Sequence, residues 1–175
     1  MKPTFNANLP EATLPPDVSD GTPTELANDT SPGVKPPDPQ LSWPRVESGA
    51  KGERVRTIQY SLRHHGYSLE IDAVFGKKTE AAVIAFEKKH GIPAHGVVDD
   101  REWVALLTRL KEGASGWSVQ ALQSQLRESG YAIKVDGDFG ELTEKAVRSF
   151  QRANKLPVNG VVDYATWNKL VEQQK

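Results

Sequence analysis

The stretch VDGDFGELTEKAVRSFQ, Val135–Gln151, decides how this chain is read. Thr143, Ala146, Val147 and Phe150 stand at i, i+3, i+4 and i+7, one face of a 3.6-residue period, and predict an amphipathic helix. The preceding run, Asp136-Gly137-Asp138-Phe139-Gly140, sets two carboxylates and two glycines in a tight turn. It is either a chemical site, holding a metal or a catalytic carboxylate, or a hinge into the helix.

The chain contains its own comparison. A shift of 64 residues aligns the segment Gly49–Leu106 with Gly113–Leu170 without a gap and gives 24 identical pairs, so an internal repeat organises the molecule. Under that shift Asp136, Phe139 and Gly140 recur as Asp72, Phe75 and Gly76, whereas the copy of Gly137-Asp138 is Ala73-Val74. A calcium loop needs several oxygen ligands at fixed spacing and a late bidentate glutamate. The residue eleven after Asp136 is Val147, and the first copy lacks the second aspartate, so no metal is expected at this turn. The structural reading explains more. The recurrent aspartate accepts backbone N–H groups, Gly76 and Gly140 take positive φ ahead of the helix, and Phe75 and Phe139 pin the turn to the core.

Each unit reads as three helices. Val119, Leu122 and Leu126 share one helical face, and Gly130 ends that helix as a C′ glycine. Pro157 closes the segment after the second helix. The third begins at Asp163, an N-cap residue, and buries Trp167 and Leu170; in the first unit Asp99 and Glu102 have capping-box spacing. The fold class expected is mainly α: two tandem three-helix units, 43–108 and 109–175, after a Pro-rich tail over 1–42. A unit of ~60 residues without disulfides is marginal alone, and the short connection Thr108–Gly116 leaves room for the two to pack together.

The tail differs in composition. Nine of the chain's 12 prolines lie within residues 1–40, where six acids face two lysines. Sparse apolar residues without a period cannot offset the ordering entropy, so this segment reads as a disordered, semi-stiff linker, with a PxxP-type partner motif as the alternative. The two units carry formal charges of +1 and +2, and the whole chain of 175 residues carries −1. That balance gives no reason to expect nucleic acid or an anionic membrane as partner. No apolar run approaches the ~20 residues of a membrane span, and MKPTFNANLP lacks the apolar stretch of a signal peptide. With no cysteine there is neither a disulfide nor a thiolate metal site.

The joined pattern V-x-x-L-Q-x-x-L, G-Y, D-G-x-F-G-x-x-T-x-x-A-V-x-x-F-Q and G-x-V-x-x-x-T-W-x-x-L, as it stands in the second unit, resembles the three-helix peptidoglycan-binding domain found in cell-wall lytic enzymes and phage endolysins. The first unit is a weaker copy, with Ala73 for glycine, Glu87 for glutamine and Glu102 for the threonine before tryptophan. The resemblance covers about residues 45–173 and implies a non-catalytic module that targets a lytic activity to the bacterial wall. It implies peptidoglycan, as glycan strand or stem peptide, as the partner, with a catalytic lysin domain or chain as a further one. The place implied is the cell wall or the extracellular or periplasmic space, reached by export or lysis. Two other readings stay open: the wall-binding part of an endolysin whose catalytic domain lies elsewhere, and a protein-interaction or structural module that keeps the fold without glycan binding.

Sugar sites present an aromatic or apolar floor beside orienting polar groups. The turn and its flanking helices supply Gln123, Arg127, Tyr131, Asp136, Asp138 and Thr143 in the second unit, and Gln59, Arg63, Tyr67, Asp72 and Thr79 in the first. Each has a structural reading beside the ligand one, which for Asp and Thr at the turn is the stronger. Trp117, unmatched in the first unit, either stacks on a sugar or packs between the units. None of the four histidines (64, 65, 90 and 95) recurs, and His64 and His65 point ~100° apart on a helix. They read as solvated or helix-end side chains. No HExxH, nucleophile elbow or Cys–His pair is present. Spacing alone leaves a two-carboxylate glycosidase arrangement open, but a small unit repeated twice offers little room for a catalytic cleft. No catalytic residue, metal or cofactor is expected.

Overall fold

In the computed structural model, which describes residues 41–174, the two predicted triplets appear in order. They are α1 Glu53–His64, α2 Lys77–His90 and α3 Asp100–Leu106, then α4 Trp117–Glu128, α5 Glu141–Ala153 and α6 Tyr164–Glu172. Of the linker expected over 1–42, residues 1–40 lie outside the described residues, and Leu41 and Ser42 lie within them. Strand pairing among the described residues is confined to isolated antiparallel bridges, Val46–Val98 and Lys51–Val74 in the first repeat and their counterparts Leu110–Val162 and Ser115–Asp138 in the second.

The helix ends follow the local chemistry. Asp163 accepts the Thr166 N–H at 2.9 Å, and Asp99 with Glu102 closes a capping box on α3. Gly130, at φ +92°, stops α4 by donating its N–H to the Arg127 carbonyl, and the Tyr131 N–H reaches back to the Leu126 carbonyl. In each repeat a strap passes under the third helix and ties to its tryptophan. Trp103 Nε1–H donates to the Pro44 carbonyl at 2.7 Å, and Trp167 Nε1–H donates to that of Thr108 at 2.9 Å. Trp43 stacks on Trp103 with centroids 5.9 Å apart.

The turn corrects one sequence expectation. Gly76 and Gly140 do not take positive φ: both are extended, at φ −94°. The left-handed residue is instead the one after the recurrent aspartate, Gly137 at φ +83° and Ala73 at φ +59°. The reason is the aspartate itself. Asp136 Oδ1 accepts the Asp138 N–H at 3.0 Å, closing an Asx turn around the left-handed residue. A Cβ on Gly137 would also meet Gln120 Cγ at 3.2 Å. In the first repeat Ala73 bears the strain. Left-handed backbone costs a residue with a side chain about 1–2 kcal/mol, and glycine's extra freedom when unfolded returns roughly 0.5–1 kcal/mol of that. Ala73→Gly is therefore expected to stabilise the protein by about 0.5–1 kcal/mol in a urea melt; a loss of stability would show that the strain account is wrong.

The repeats pack on each other chiefly through α1 and α4, and their buried apolar side chains form one cluster. Between them Gln125 Nε2 donates to Thr57 Oγ1 at 2.6 Å, both residues fully buried. Arg54 of α1 donates to the Val171 and Glu172 carbonyls at the end of α6, at 2.9 and 3.0 Å, where a cation suits the helix dipole. Asn168 Nδ2 donates to the Ser42 carbonyl at 2.8 Å, so the chain is already docked at residue 42.

Candidate functional site

In both repeats a glutamine from the middle of the first helix organises the turn. Gln123 is 1% exposed. Its amide donates to Asp136 Oδ1 at 2.7 Å, to the Asp138 carbonyl at 3.0 Å and to Thr143 Oγ1 at 3.2 Å. Its Oε1 accepts the Gly137 N–H at 2.8 Å. Gln59 repeats this with Asp72 at 2.7 Å, the Val74 carbonyl at 3.2 Å, Thr79 at 3.2 Å and the Ala73 N–H at 2.9 Å. The Gln, Asp and Thr of the predicted sites are thus joined inside the protein, where each satisfies a polar group that the turn would otherwise bury unpaired.

The aspartates are exposed at their outer face, and both are held below the usual carboxylate range. For Asp136 the cause is first the Asp138 N–H and then Gln123; for Asp72 it is first Gln59 and then the Val74 N–H. A depressed folded-state value means that the unfolded chain binds protons first as pH falls. The contribution is therefore present above about pH 4, the unfolded value, and is lost as pH drops through the folded value. The melting temperature is expected to fall more steeply on acidification in the wild type than in Asp72→Asn/Asp136→Asn, whose amide oxygens still accept the same N–H groups. Equal acid slopes in the two proteins would rule this out.

Outside this network the second repeat has an open cleft of about 760 Å³ between the 132–140 loop and the start of α5. Gln123, Arg127, Asp136, Asp138 and Thr143 of the predicted set line it, together with Ile133 and Leu142. Leu142 is 72% exposed. Arg127 is exposed, and its guanidinium has no hydrogen-bond partner among the described residues. The cleft thus joins an apolar wall to a free cation and two carboxylates. The matching cleft of the first repeat is smaller, about 260 Å³; it includes Gln59, Asp72 and Thr79, and Lys78 stands where the second has Leu142.

The other predicted residues lie elsewhere. Tyr131 and Tyr67 are half-buried and pack edge-on against Phe150 and Phe86, each at 6.2 Å; burial raises both phenols. Arg63 donates to the Leu69 carbonyl at 2.8 Å and lies 4.3 Å above the Trp117 ring. Tyr60 is 6.2 Å from the same ring, so Trp117 packs between the repeats while remaining 37% exposed. Leu142 and Ile133 escaped the sequence reading. The signal for Leu142 was present: an apolar residue off the buried stripe of α5, opposite a lysine in the other copy.

A family model described as "Putative peptidoglycan binding domain" matches residues 51–106 and again 115–170. The zinc D-Ala-D-Ala carboxypeptidase of Streptomyces albus G is 40% identical over 70 residues, covering 37% of this chain and 27% of that protein. The spore cortex-lytic enzyme of Bacillus cereus is 45% identical over 67 residues, covering 38% and 26%. The chain thus spans about a quarter of the length of each of these curated relatives. Among solved structures, the SleB N-terminal domain is 44% identical over 37% of this chain and 90% of its own, with a TM-score of 0.36. The Burkholderia AP3 phage endolysin is 23% identical over 62% of this chain and 38% of its own, with a TM-score of 0.37.

Proposed function

This chain belongs to the peptidoglycan-binding domain family, with the domain present twice, and on that premise we propose that it holds a lytic activity on the bacterial wall through the cleft of its second repeat. One observation carries the reading: Leu142, 72% exposed, faces the same open cleft as the exposed Arg127. An exposed apolar side chain beside a free guanidinium and carboxylates suits a ligand with apolar faces, amides and carboxylates. The acetamido sugars and stem-peptide carboxylates of peptidoglycan carry these groups. Arg127 engages a carboxylate, Leu142 and Ile133 take the apolar face, and the outer oxygens of Asp136 and Asp138 accept from hydroxyl or amide groups. The first repeat adds a weaker contact, and two weak sites on one polymer gain by avidity where both reach it.

Cleavage is assigned to a separate domain or chain. The relatives' names are those of enzymes, and this chain matches only about a quarter of their length. The place of action is the wall, and no helix among the described residues is long and apolar enough to cross a membrane.

The test is co-sedimentation of the full chain with protein-free peptidoglycan, with the supernatant assayed for released muropeptides. The wild type is retained without release. Leu142→Asp weakens retention by about 10-fold or more, the scale of one interface anchor, while Lys78→Asp in the first repeat costs less. Equal losses from the two would overturn the ranking of the repeats, and released fragments would overturn the non-catalytic reading.

A further inference from the structure

The second repeat has another glutamine hub at the far end of α5. Gln151 Nε2 donates to Asn159 Oδ1 at 3.1 Å, to the Val161 carbonyl at 2.8 Å and to Thr166 Oγ1 at 3.4 Å. Its Oε1 accepts the N–H groups of Asn159 and Gly160 at 3.1 and 3.0 Å. The two amide hydrogens are thus shared among three acceptors at one point.

In the first repeat the residues in this register are Glu87, His95 and Glu102. Glu87 Oε2 keeps the acceptor role, taking the Gly96 N–H at 2.9 Å, and Glu102 Oε2 takes the Asp99 N–H at 3.0 Å. The amide nitrogen is gone, and a second oxygen stands in its place. Glu87 Oε1 and Glu102 Oε1 are left without a hydrogen bond, on two residues that are 0% exposed. Both face the His95 imidazole, whose Nδ1 lies 3.0 Å from Glu87 Oε1 and whose Nε2 lies 4.0 Å from Glu102 Oε1. The Val97 nitrogen lies 3.3 Å from the same Nδ1. One donor atom from each side chain lies within 4.8 Å of the others. Two buried carboxylates, each with an oxygen turned toward one point, carry a desolvation cost that is relieved by a proton, since burial pushes Glu102 up to about 7, or by a cation bound there. The second repeat needs neither, because its glutamine donates.

We propose that Glu87, His95 and Glu102 form a binding site for a divalent transition-metal ion of the zinc class. One imidazole nitrogen and two carboxylate oxygens are a zinc-type donor set that leaves a fourth position for water. The nitrogen favours zinc over calcium or magnesium, which prefer oxygen alone. The Gly96 and Asp99 N–H groups hold the non-ligating oxygens, the outer support that fixes carboxylate ligands. The His95 side chain is 44% exposed, so the site opens to solvent on that side. The ion ties the end of α2, the 91–99 loop and α3 together, the task Gln151 performs in the second repeat. This departs from the sequence expectation of no metal, which covered the four histidines as well as the Asp72 and Asp136 turn. The spacing Glu87, His95, Glu102 matches no familiar motif, and only the fold closes it.

The test uses the full chain stripped with chelator at pH 7.5 and titrated with zinc chloride by calorimetry, with bound metal counted after gel filtration. One zinc per chain is expected, with no comparable uptake of magnesium or calcium, and with a melting temperature that rises on zinc addition and falls back on chelation. His95→Asn, a change at a half-exposed position, is expected to weaken zinc binding at least ~10-fold. Glu87→Gln/His95→Asn/Glu102→Thr installs the neutral residues of the second repeat and is expected to stay folded and lose the zinc. No uptake by the wild type overturns the proposal. So does an unchanged stoichiometry in His95→Asn and the triple variant, which would place the ion on His64, His65 or His90, and so does calcium binding as tight as zinc.

Discussion

Trp167→Ala is expected to cost about 3–5 kcal/mol of stability, the range for removing a large aromatic from a packed interior. The ring is 1% exposed at the centre of a nine-residue helix, and its Nε1–H satisfies the Thr108 carbonyl at 2.9 Å. The truncation therefore opens a cavity and leaves a carbonyl unpaired. Trp167→Phe separates the two effects: it keeps most of the volume and loses the donor, at an expected cost of about 1–2 kcal/mol. A domain of this size holds roughly 5–15 kcal/mol in all, so the alanine variant removes a large part of the whole. Because the two repeats share one buried cluster, the loss is expected in a single urea transition reported alike by both repeats. A drop below about 1 kcal/mol, or a separate transition for the second repeat alone, would refute this account of the core.

Gln123→Ala is expected to cost about 3 kcal/mol, since each buried polar group left unpaired costs roughly 1–3 kcal/mol. The variant leaves the buried Gly137 N–H unpaired and takes the amide donor away from Asp136, Thr143 and the Asp138 carbonyl, although Thr143 and the Asp138 carbonyl still pair with each other. It also frees the loop that forms one wall of the second cleft, so wall retention is expected to fall with stability. Gln123→Glu keeps an acceptor for the Gly137 N–H but faces Asp136 and the Asp138 carbonyl with oxygen instead of N–H. Its cost is expected to be at least as large near neutral pH. A Gln123→Ala protein as stable as the wild type and still held by the wall would show that the hub is incidental.

The contrast between the two glutamine-centred turns and the Leu142 cleft shows how far a sequence carries. The repeat exposed Gln59 and Gln123, Asp72 and Asp136, Thr79 and Thr143 as shared positions. It left open whether they share a ligand or a hydrogen-bond network, because both uses call for the same polar groups. The geometry joins them to one another, and the open cleft beside them is walled by Leu142, which the two copies do not share. Gly140 was legible as a turn residue, but its conformation was not. The Asx turn that moves the left-handed position to Gly137 depends on where the Asp136 carboxylate points.

The sequence alone determined the six helices, the aspartate caps of α3 and α6, the repeat register and the burial of Trp103 and Trp167. Each rests on periodicity or on a side chain that bonds to its own neighbourhood. The tertiary structure decided what joins distant positions. The second face of α1 and α4 carries Thr57, Ser61, Ser118, Ala121 and Gln125, small or neutral polar residues that lie outside the apolar stripe and are buried. No hydrophobic period marks that face, because it is held by close approach and by the Thr57–Gln125 hydrogen bond, not by an apolar stripe. The meeting of Glu87, His95 and Glu102 belongs to the same class. Spacing along a chain does not encode distance in space until the helices have packed.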